Sequence, residues 1–364
     1  MNGMRKSLVI ALTVLFGMLS ICPPARAADQ TQSLTLEQAV EMALSYSPSL
    51  KTKELSLEQA EYEREAAATA VSYTPTGQAD AETEKAFNNL VQKDLNWQVA
   101  KKEFASQKDS VTIQVYQAYF NVLQAQAALT AAEKSYAYAD YQKRAAVLKH
   151  QFGKASLLEV KQQENSCQAA QAQLETAKQN LEDAYLKLDQ LIGLSSSARP
   201  VLTDEPAYDP VEITSIEAEV SRALDESPTV KRAQLSVNQA QIALDIYSFS
   251  NAEYNSYKAQ QLSIPMAEQN LVSAKNQLEQ QVRSLYSSIT QLEKNYQNLL
   301  SQSQTAQQNL EWTQLKLKYG AASRMEVAQA EAEAAKAYQS LLEAKCQHAV
   351  LAKAFATPWA YSGS

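Results

Sequence analysis

The same nine-residue pattern occurs twice in the chain, as Phe152-Gly153-Lys154-Ala155-Ser156-Leu157-Leu158-Glu159-Val160 and as Tyr319-Gly320-Ala321-Ala322-Ser323-Arg324-Met325-Glu326-Val327. Each copy opens with an aromatic residue and a glycine, and glycine is the usual residue in the left-handed conformation that ends a helix. A serine then precedes a glutamate by three positions, which is the capping box that begins a helix. The pattern therefore predicts a tight turn between two antiparallel helices, and its recurrence predicts two such hairpins.

The hairpins belong to two longer repeats. The 167-residue offset between the two turns also relates Val115, Tyr119 and Val122 to Val282, Tyr286 and Ile289. Near the start of each repeat a Ser-Pro pair (Ser47-Pro48, Ser227-Pro228) predicts a helix with serine at the N-cap and proline in the first turn. We therefore divide the chain into a first repeat (28–193), a Pro-, Ser- and Asp-rich linker (194–214), a second repeat (215–357) and a C-terminal tail (358–364).

The composition and spacing between these signals predict an all-α protein built from long rods. The chain has only 7 Gly and 10 Pro in 364 residues, and no proline lies between Pro75 and Pro200 or between Pro265 and Pro358. Apolar residues alternate by three and four along each rod, and this spacing predicts supercoiled helices packed along their length. We predict one helix over 84–151, about 100 Å long at 1.5 Å per residue. Examples of the predicted seams are Cys167, Ala170, Leu174, Ala177, Leu181, Ala184, Leu188 and Leu191, and Ala334, Ala337, Leu341, Ala344, His348, Leu351 and Phe355.

The first 27 residues have the features of a Sec signal peptide. A basic start is followed by an apolar stretch too short to span a bilayer, and Ala25-Arg26-Ala27 forms a small-x-small cleavage site. An uncleaved anchor and lipidation of Cys22 are the alternatives. Removal of the leader and its three basic residues leaves 30 basic against 40 acidic residues. Such an acidic chain is a poor partner for nucleic acid. We expect export to the cell envelope, in the outer membrane or associated with the periplasm.

The chain resembles the TolC family of outer-membrane efflux proteins over nearly its whole mature length. The resemblance is carried by Leu34-Thr35-Leu36-Glu37-Gln38-Ala39 with Ser47-Pro48, by Ala118-Tyr119-Phe120, and by the two hairpin turns. It implies a homotrimer whose helices form a tapering α-barrel, a duct for small molecules or proteins. It also implies that the hairpin tips dock with a periplasmic adaptor (membrane fusion) protein that serves an inner-membrane transporter.

Two features depart from the family pattern. Family members carry two transmembrane strands between the second and third helices of each repeat, and a spanning strand needs about 9–11 residues. The corresponding segments here, Val71–Thr83 and Tyr247–Pro265, are too short or too polar, so we expect the β-barrel strands to be absent or vestigial. In the family, acids six and nine positions after the second tip glycine narrow the pore, whereas this chain has Glu326 and Gln329. Ala322 stands where the family has a basic residue, with Arg324 nearby but out of register.

The two hairpin tips form the candidate functional site. We expect the tips to be the partner-docking surface, and Glu159 and Glu326 to be either pore-entrance acids, helix-capping residues, or both. His150 and His348 fall on predicted seams and are expected to be packed or partly solvated, Cys167 lies on a seam, and Cys346 lies off one. We find no constellation for catalysis, a metal or a cofactor, and predict that the protein is not an enzyme. The alternative function is an exported coiled-coil scaffold that uses the fold without conducting substrate. The predicted docking residues are Phe152, Gly153, Lys154, Ser156, Tyr319, Gly320, Ala322, Ser323 and Arg324.

Overall fold

A computed structural model describes residues 33–72, 80–247 and 254–361, and 85% of the described chain is helical. The predicted signal peptide and Cys22 lie outside these residues, as do 73–79 and 248–253 within the two connectors that correspond to the family's membrane strands. The all-α prediction is confirmed. The elements in chain order are β1 (Ser33–Leu34), α1 (Leu36–Tyr46), α2 (Pro48–Thr69), α3 (Ala81–Gln151), α4 (Leu157–Ile192), β2 (Val201–Leu202), α5 (Ile216–Glu226), α6 (Pro228–Asp245), α7 (Tyr254–Lys318), α8 (Arg324–Ala356) and a 3-10 turn (Pro358–Ala360).

The predicted helix starts are made by side-chain caps. The Ser47 hydroxyl accepts a hydrogen bond from the Leu50 N–H, and the Ser227 hydroxyl accepts one from the Val230 N–H. In both helices the proline that follows the serine occupies the first turn, where a backbone N–H would have no helical partner. Each repeat thus begins with a short helix, a one-residue break and a second helix, as the Ser-Pro pairs predicted.

The long helices lie side by side. In the half of the molecule that holds the tips, α3 packs along α4 on one side and along α8 on the other, and α8 also packs along α7. In the opposite half, α2 packs on the start of α3, while α6 lies between α3 and α7. The order across the layer is therefore α4–α3–α8–α7 near the tips and α2–α3–α6–α7 at the far end. Helix α7 borders one edge along its length, and α2 and α4 border the other.

Two apolar cores lie at mid-length, one for each repeat. The first surrounds Tyr119 and Val115, and α1 and β1 cover it. The second surrounds Ile289 and Val282, and α5 covers it together with the 3-10 turn after α8. Strands β1 and β2 pair in parallel and attach the linker to the first core. The described part of the predicted C-terminal tail contacts α3, because the Trp359 Nε1–H donates to Asp109 Oδ2 at 3.3 Å.

The helix boundaries near the second connector differ from the prediction. Helix α7 begins at Tyr254, whereas the sequence had suggested an irregular segment as far as Pro265. Pro265 is exposed inside the helix, so the carbonyl group that its missing N–H leaves unpaired can bind water. Among the described residues, no helix has both the length and the apolar character needed to cross a bilayer.

The predicted seams account for neither the burial of Cys346 nor the exposure of His150. Cys346 is fully buried in the first core, although it lies off the predicted seam. It is buried because α8 packs against both α3 and α7 and therefore buries two faces rather than one. His150 is exposed at the first tip, where its Nδ1 lies 2.9 Å from the Ala155 carbonyl oxygen. His348 is buried as expected, with Nε2 3.0 Å from Glu293 Oε1.

Candidate functional site

The first tip is a short turn held by backbone hydrogen bonds. Gly153 has φ +69°, the left-handed conformation that the pattern required. The Gly153 N–H donates to the His150 carbonyl, and the Lys154 N–H donates to the Lys149 carbonyl at 2.7 Å. The Ser156 hydroxyl then accepts from the Glu159 N–H at 3.1 Å and begins α4. Only this half of the predicted capping box is formed at the first tip.

The second tip repeats the turn and completes the capping box. Gly320 has φ +73°, and the Ala321 N–H donates to the Lys316 carbonyl at 2.8 Å. The Ser323 hydroxyl accepts from the Glu326 N–H, while the Ser323 N–H donates to Glu326 Oε2 at 2.6 Å. This backbone hydrogen bond from Ser323 is the main reason that the pKa of Glu326 lies below its usual value. The Glu326 carboxylate is therefore charged and occupied in capping α8.

Apolar side chains are exposed around both tips. Phe152 and Tyr319 occupy equivalent positions and are each 76% exposed. The first turn of α4 adds Leu157 and Leu158, which are 60% and 68% exposed, and α7 adds Trp312, which is 64% exposed. Solvent-facing apolar clusters of this kind are typical of interaction surfaces.

The structure brings the predicted residues together in two groups. Phe152, Gly153, Lys154 and Ser156 form the first tip, whereas Tyr319, Gly320, Ala322, Ser323 and Arg324 form the second. No hydrogen bond or ion pair joins the two groups among the described residues. Sequence reasoning missed Trp312, and the available signal was its position off the seam formed by Ala306, Leu310, Thr313 and Leu317. An aromatic side chain outside the seam of a helical hairpin must face solvent or another partner.

At mid-length, α1 and β1 cover one face of the layer of long helices, and the opposite face is uncovered. Tyr119 points to the covered side, where its hydroxyl contacts Leu34. At 100° per residue, Gln117, Asn121 and Gln124 lie on the opposite side of α3. They line an open groove of about 900 Å³ between α3, α4 and α8. The uncovered face thus presents mainly uncharged amide groups to water. Among the described residues no group of three His, Cys, Asp or Glu side chains is placed to hold a metal ion.

Comparison with known proteins finds similarity to the same family that the sequence resembles. The profile of the outer membrane efflux protein family matches residues 88–194. The outer-membrane channel OprN matches at 14% identity with a TM-score of 0.67, covering 90% of this chain and 91% of that chain. The CmeC outer membrane channel of Campylobacter jejuni matches at 14% identity and TM-score 0.67, covering 90% and 86%. The outer membrane protein VceC of Vibrio cholerae matches at 13% identity and TM-score 0.64, covering 89% and 95%. No curated protein matches the chain.

Proposed function

We propose that this chain, whose resemblance to the TolC family and whose TolC-like helical fold are confirmed, forms an export duct of the cell envelope. The observation that carries the proposal is the similarity of nearly the whole chain to outer-membrane channels, with about nine-tenths of both molecules superposed. The duct carries small molecules or proteins, and it works with a periplasmic adaptor protein and an inner-membrane transporter. The channel family is not an enzyme family, and we assign no catalytic step to this chain.

The arrangement of the helices supports a closed tube of several copies. A layer with two unpaired edges leaves helix faces that a further copy can cover, and repeated head-to-tail contacts of this kind close into a ring. The uncovered mid-length face, with Gln117, Asn121 and Gln124, provides a hydrated and mainly uncharged wall for such a ring. We assign three copies on the basis of the family resemblance. Glu159 and Glu326 then lie near the entrance, where a pore-lining role is compatible with the capping role of each residue.

The tips are proposed as the docking surface for the adaptor. They combine small residues, such as Ala321 and Ala322, with the exposed rings of Phe152 and Tyr319, so a partner hairpin can approach closely and bury an aromatic side chain. The glycine turns are open, since a Cβ atom added at Gly153 or Gly320 would meet no atom within 4 Å. Substitution there changes the turn conformation without a packing clash.

This property allows a direct test. Valine at both tip glycines is disfavoured at positive φ by about 1–2 kcal/mol each, whereas asparagine tolerates that conformation and serves as the matched control. We expect Gly153→Val/Gly320→Val to retain helicity and oligomeric state but to lose adaptor crosslinking and export from cells. The corresponding Asn variant should keep both. Normal export by the Val variant would limit the tips to a structural role, whereas normal export by cells that lack the chain altogether would favour the coiled-coil scaffold as the function.

A further inference from the structure

The chain is acidic as a whole but basic at its two tips. Without the predicted leader it has 30 basic and 40 acidic residues. Between Asp140 and Glu159, however, the first turn is surrounded by four basic and no acidic residues. Between Glu311 and Glu326, the second turn is surrounded by three basic and no acidic residues. The sign of the charge is therefore reversed at the end of the molecule that the proposed function assigns to docking.

Five of these basic side chains are exposed and form no ion pair among the described residues. Two others, Lys143 and Arg144, pair with Asp140 on their own helix. The nearest acid after the second turn, Glu326, accepts the Ser323 N–H and is occupied in capping α8. The five exposed basic residues are Lys149, Lys154, Lys316, Lys318 and Arg324.

The helix dipole explains three of these cations but not the other two. Lys149, Lys316 and Lys318 lie in the last turns of α3 and α7, where the negative end of the dipole favours a cation. Arg324 is the first residue of α8, and Lys154 lies just before α4. The positive end of the dipole disfavours a cation at both places. An anionic partner gives these two residues the reason that helix formation does not.

The placement of the charges favours a protein partner over a membrane surface. The second turn itself, from Gly320 to Ser323, carries no charge. Its cations lie before the turn at Lys318 and after it at Arg324. A flat bilayer would meet the uncharged apex first, whereas a hairpin that packs against the side of the turn would meet both cations and the exposed Tyr319 ring.

We propose that the partner at the tips is an adaptor hairpin whose own end carries Asp or Glu carboxylates. The proposal rests on the docking role in the proposed function and adds the chemistry of the partner. The guanidinium fork of Arg324 suits a carboxylate, because it can donate two parallel hydrogen bonds. Exposed charge pairs mainly speed the encounter and exclude partners of like charge, so the basic tips select an acidic hairpin.

Reversal of two charges tests the partner without harming the helices. Lys154→Glu/Arg324→Glu places acids before α4 and at the start of α8, where the helix dipole favours them, so thermal stability and oligomeric mass should be retained. Against an acidic partner the same acids are repulsive. With a photo-crosslinking amino acid at the exposed Ala321, we expect the variant to lose at least tenfold of its crosslinking in cells.

A matched variant controls for the change in net charge. Lys275 and Lys336 are exposed, lie away from the tips and form no ion pair among the residues that the structure describes. Lys275→Glu/Lys336→Glu therefore changes the net charge by the same amount, and its crosslinking should fall less than twofold. Equal losses in the two double variants would show an effect of total charge and overturn the role of the tips.

The sequence of the crosslinked segment decides the sign of the partner. Mass spectrometry should find more Asp and Glu than Lys and Arg within about five residues of the link, a span shorter than the Debye length. Lysine in place of those carboxylates should restore crosslinking to Lys154→Glu/Arg324→Glu. A neutral or basic segment, unchanged crosslinking by this variant, or a loss that the lysines do not restore would overturn the acidic partner.

Vesicles and export separate the remaining outcomes. Absence of any crosslinked protein would overturn the proposal. Binding of the purified chain to phosphatidylglycerol vesicles but not to phosphatidylcholine vesicles, lost in Lys154→Glu/Arg324→Glu, would then identify an anionic membrane as the partner. Failure of the duct has a different readout, because cells that lack the chain would export normally even though the tips crosslink to an acidic hairpin.

Discussion

Replacement of Tyr119 by phenylalanine should destabilise the chain through the loss of one buried hydroxyl group. Tyr119 has no exposed surface, and its hydroxyl donates to the Leu34 carbonyl at 2.9 Å and accepts from the Asp204 N–H at 3.1 Å. The Leu34 carbonyl keeps a second partner, the Thr203 N–H at 3.3 Å. The variant therefore leaves mainly the Asp204 N–H unpaired, and an unpaired group of this kind costs about 1–3 kcal/mol.

The second repeat provides the matched control for this change. Tyr286 stands 167 residues later at the equivalent position, where its ring packs on Phe355. The Tyr286 hydroxyl makes no hydrogen bond among the described residues. Tyr286→Phe should therefore change the free energy of unfolding by less than about 0.5 kcal/mol. Urea unfolding of both variants at one protein concentration, followed by circular dichroism, measures the difference. Equal effects would refute the view that Tyr119 joins β1 and the linker to α3.

Three further predictions concern the turns, a buried charge and the helix content. Alanine at Gly193 (φ +74°) should lower the stability of the fold more than alanine at Gly320, because a Cβ atom at Gly193 would lie 2.5 Å from the Tyr46 ring. Thermal unfolding of both variants measures the difference, and equal losses of stability would mean that only the backbone conformation matters. Burial raises the pKa of Asp189, and Arg199 only partly offsets this. The native chain then binds a proton more tightly than the unfolded chain, so this group's contribution to stability should rise as pH falls through the native pKa. Asp189→Leu should abolish that dependence in urea unfolding measured across pH, and an unchanged profile would contradict the assignment. Circular dichroism of the mature chain should show helix far above the 30–35% typical of globular domains, and a substantial strand signal would contradict the fold.

The elements that the sequence predicted well are those fixed by local signals. The turns at Gly153 and Gly320 and the Ser-Pro caps at Ser47 and Ser227 each depend on a few adjacent residues. The long helices followed from the absence of proline and from heptad spacing. Such features require no knowledge of which helices become neighbours.

The features that were missed depend on neighbours distant in the chain. Helix α8 buries two faces because it lies between α3 and α7, so a single seam could not predict the burial of Cys346. The two-residue strands β1 and β2 are too short to produce an alternating pattern. The hydrogen-bond contact between His348 on α8 and Glu293 on α7 joins residues 55 positions apart in sequence, and no local motif marks it.

The central claim is that copies of this chain enclose a channel, and electron microscopy of the purified mature protein tests it most directly. Helix α3 alone has 71 residues, so we expect a particle at least about 105 Å long at 1.5 Å per residue. Viewed end-on, the particle should be a ring of three copies around an open axis. Single copies, or a solid helical bundle with no axial opening, would show that the chain does not form a duct.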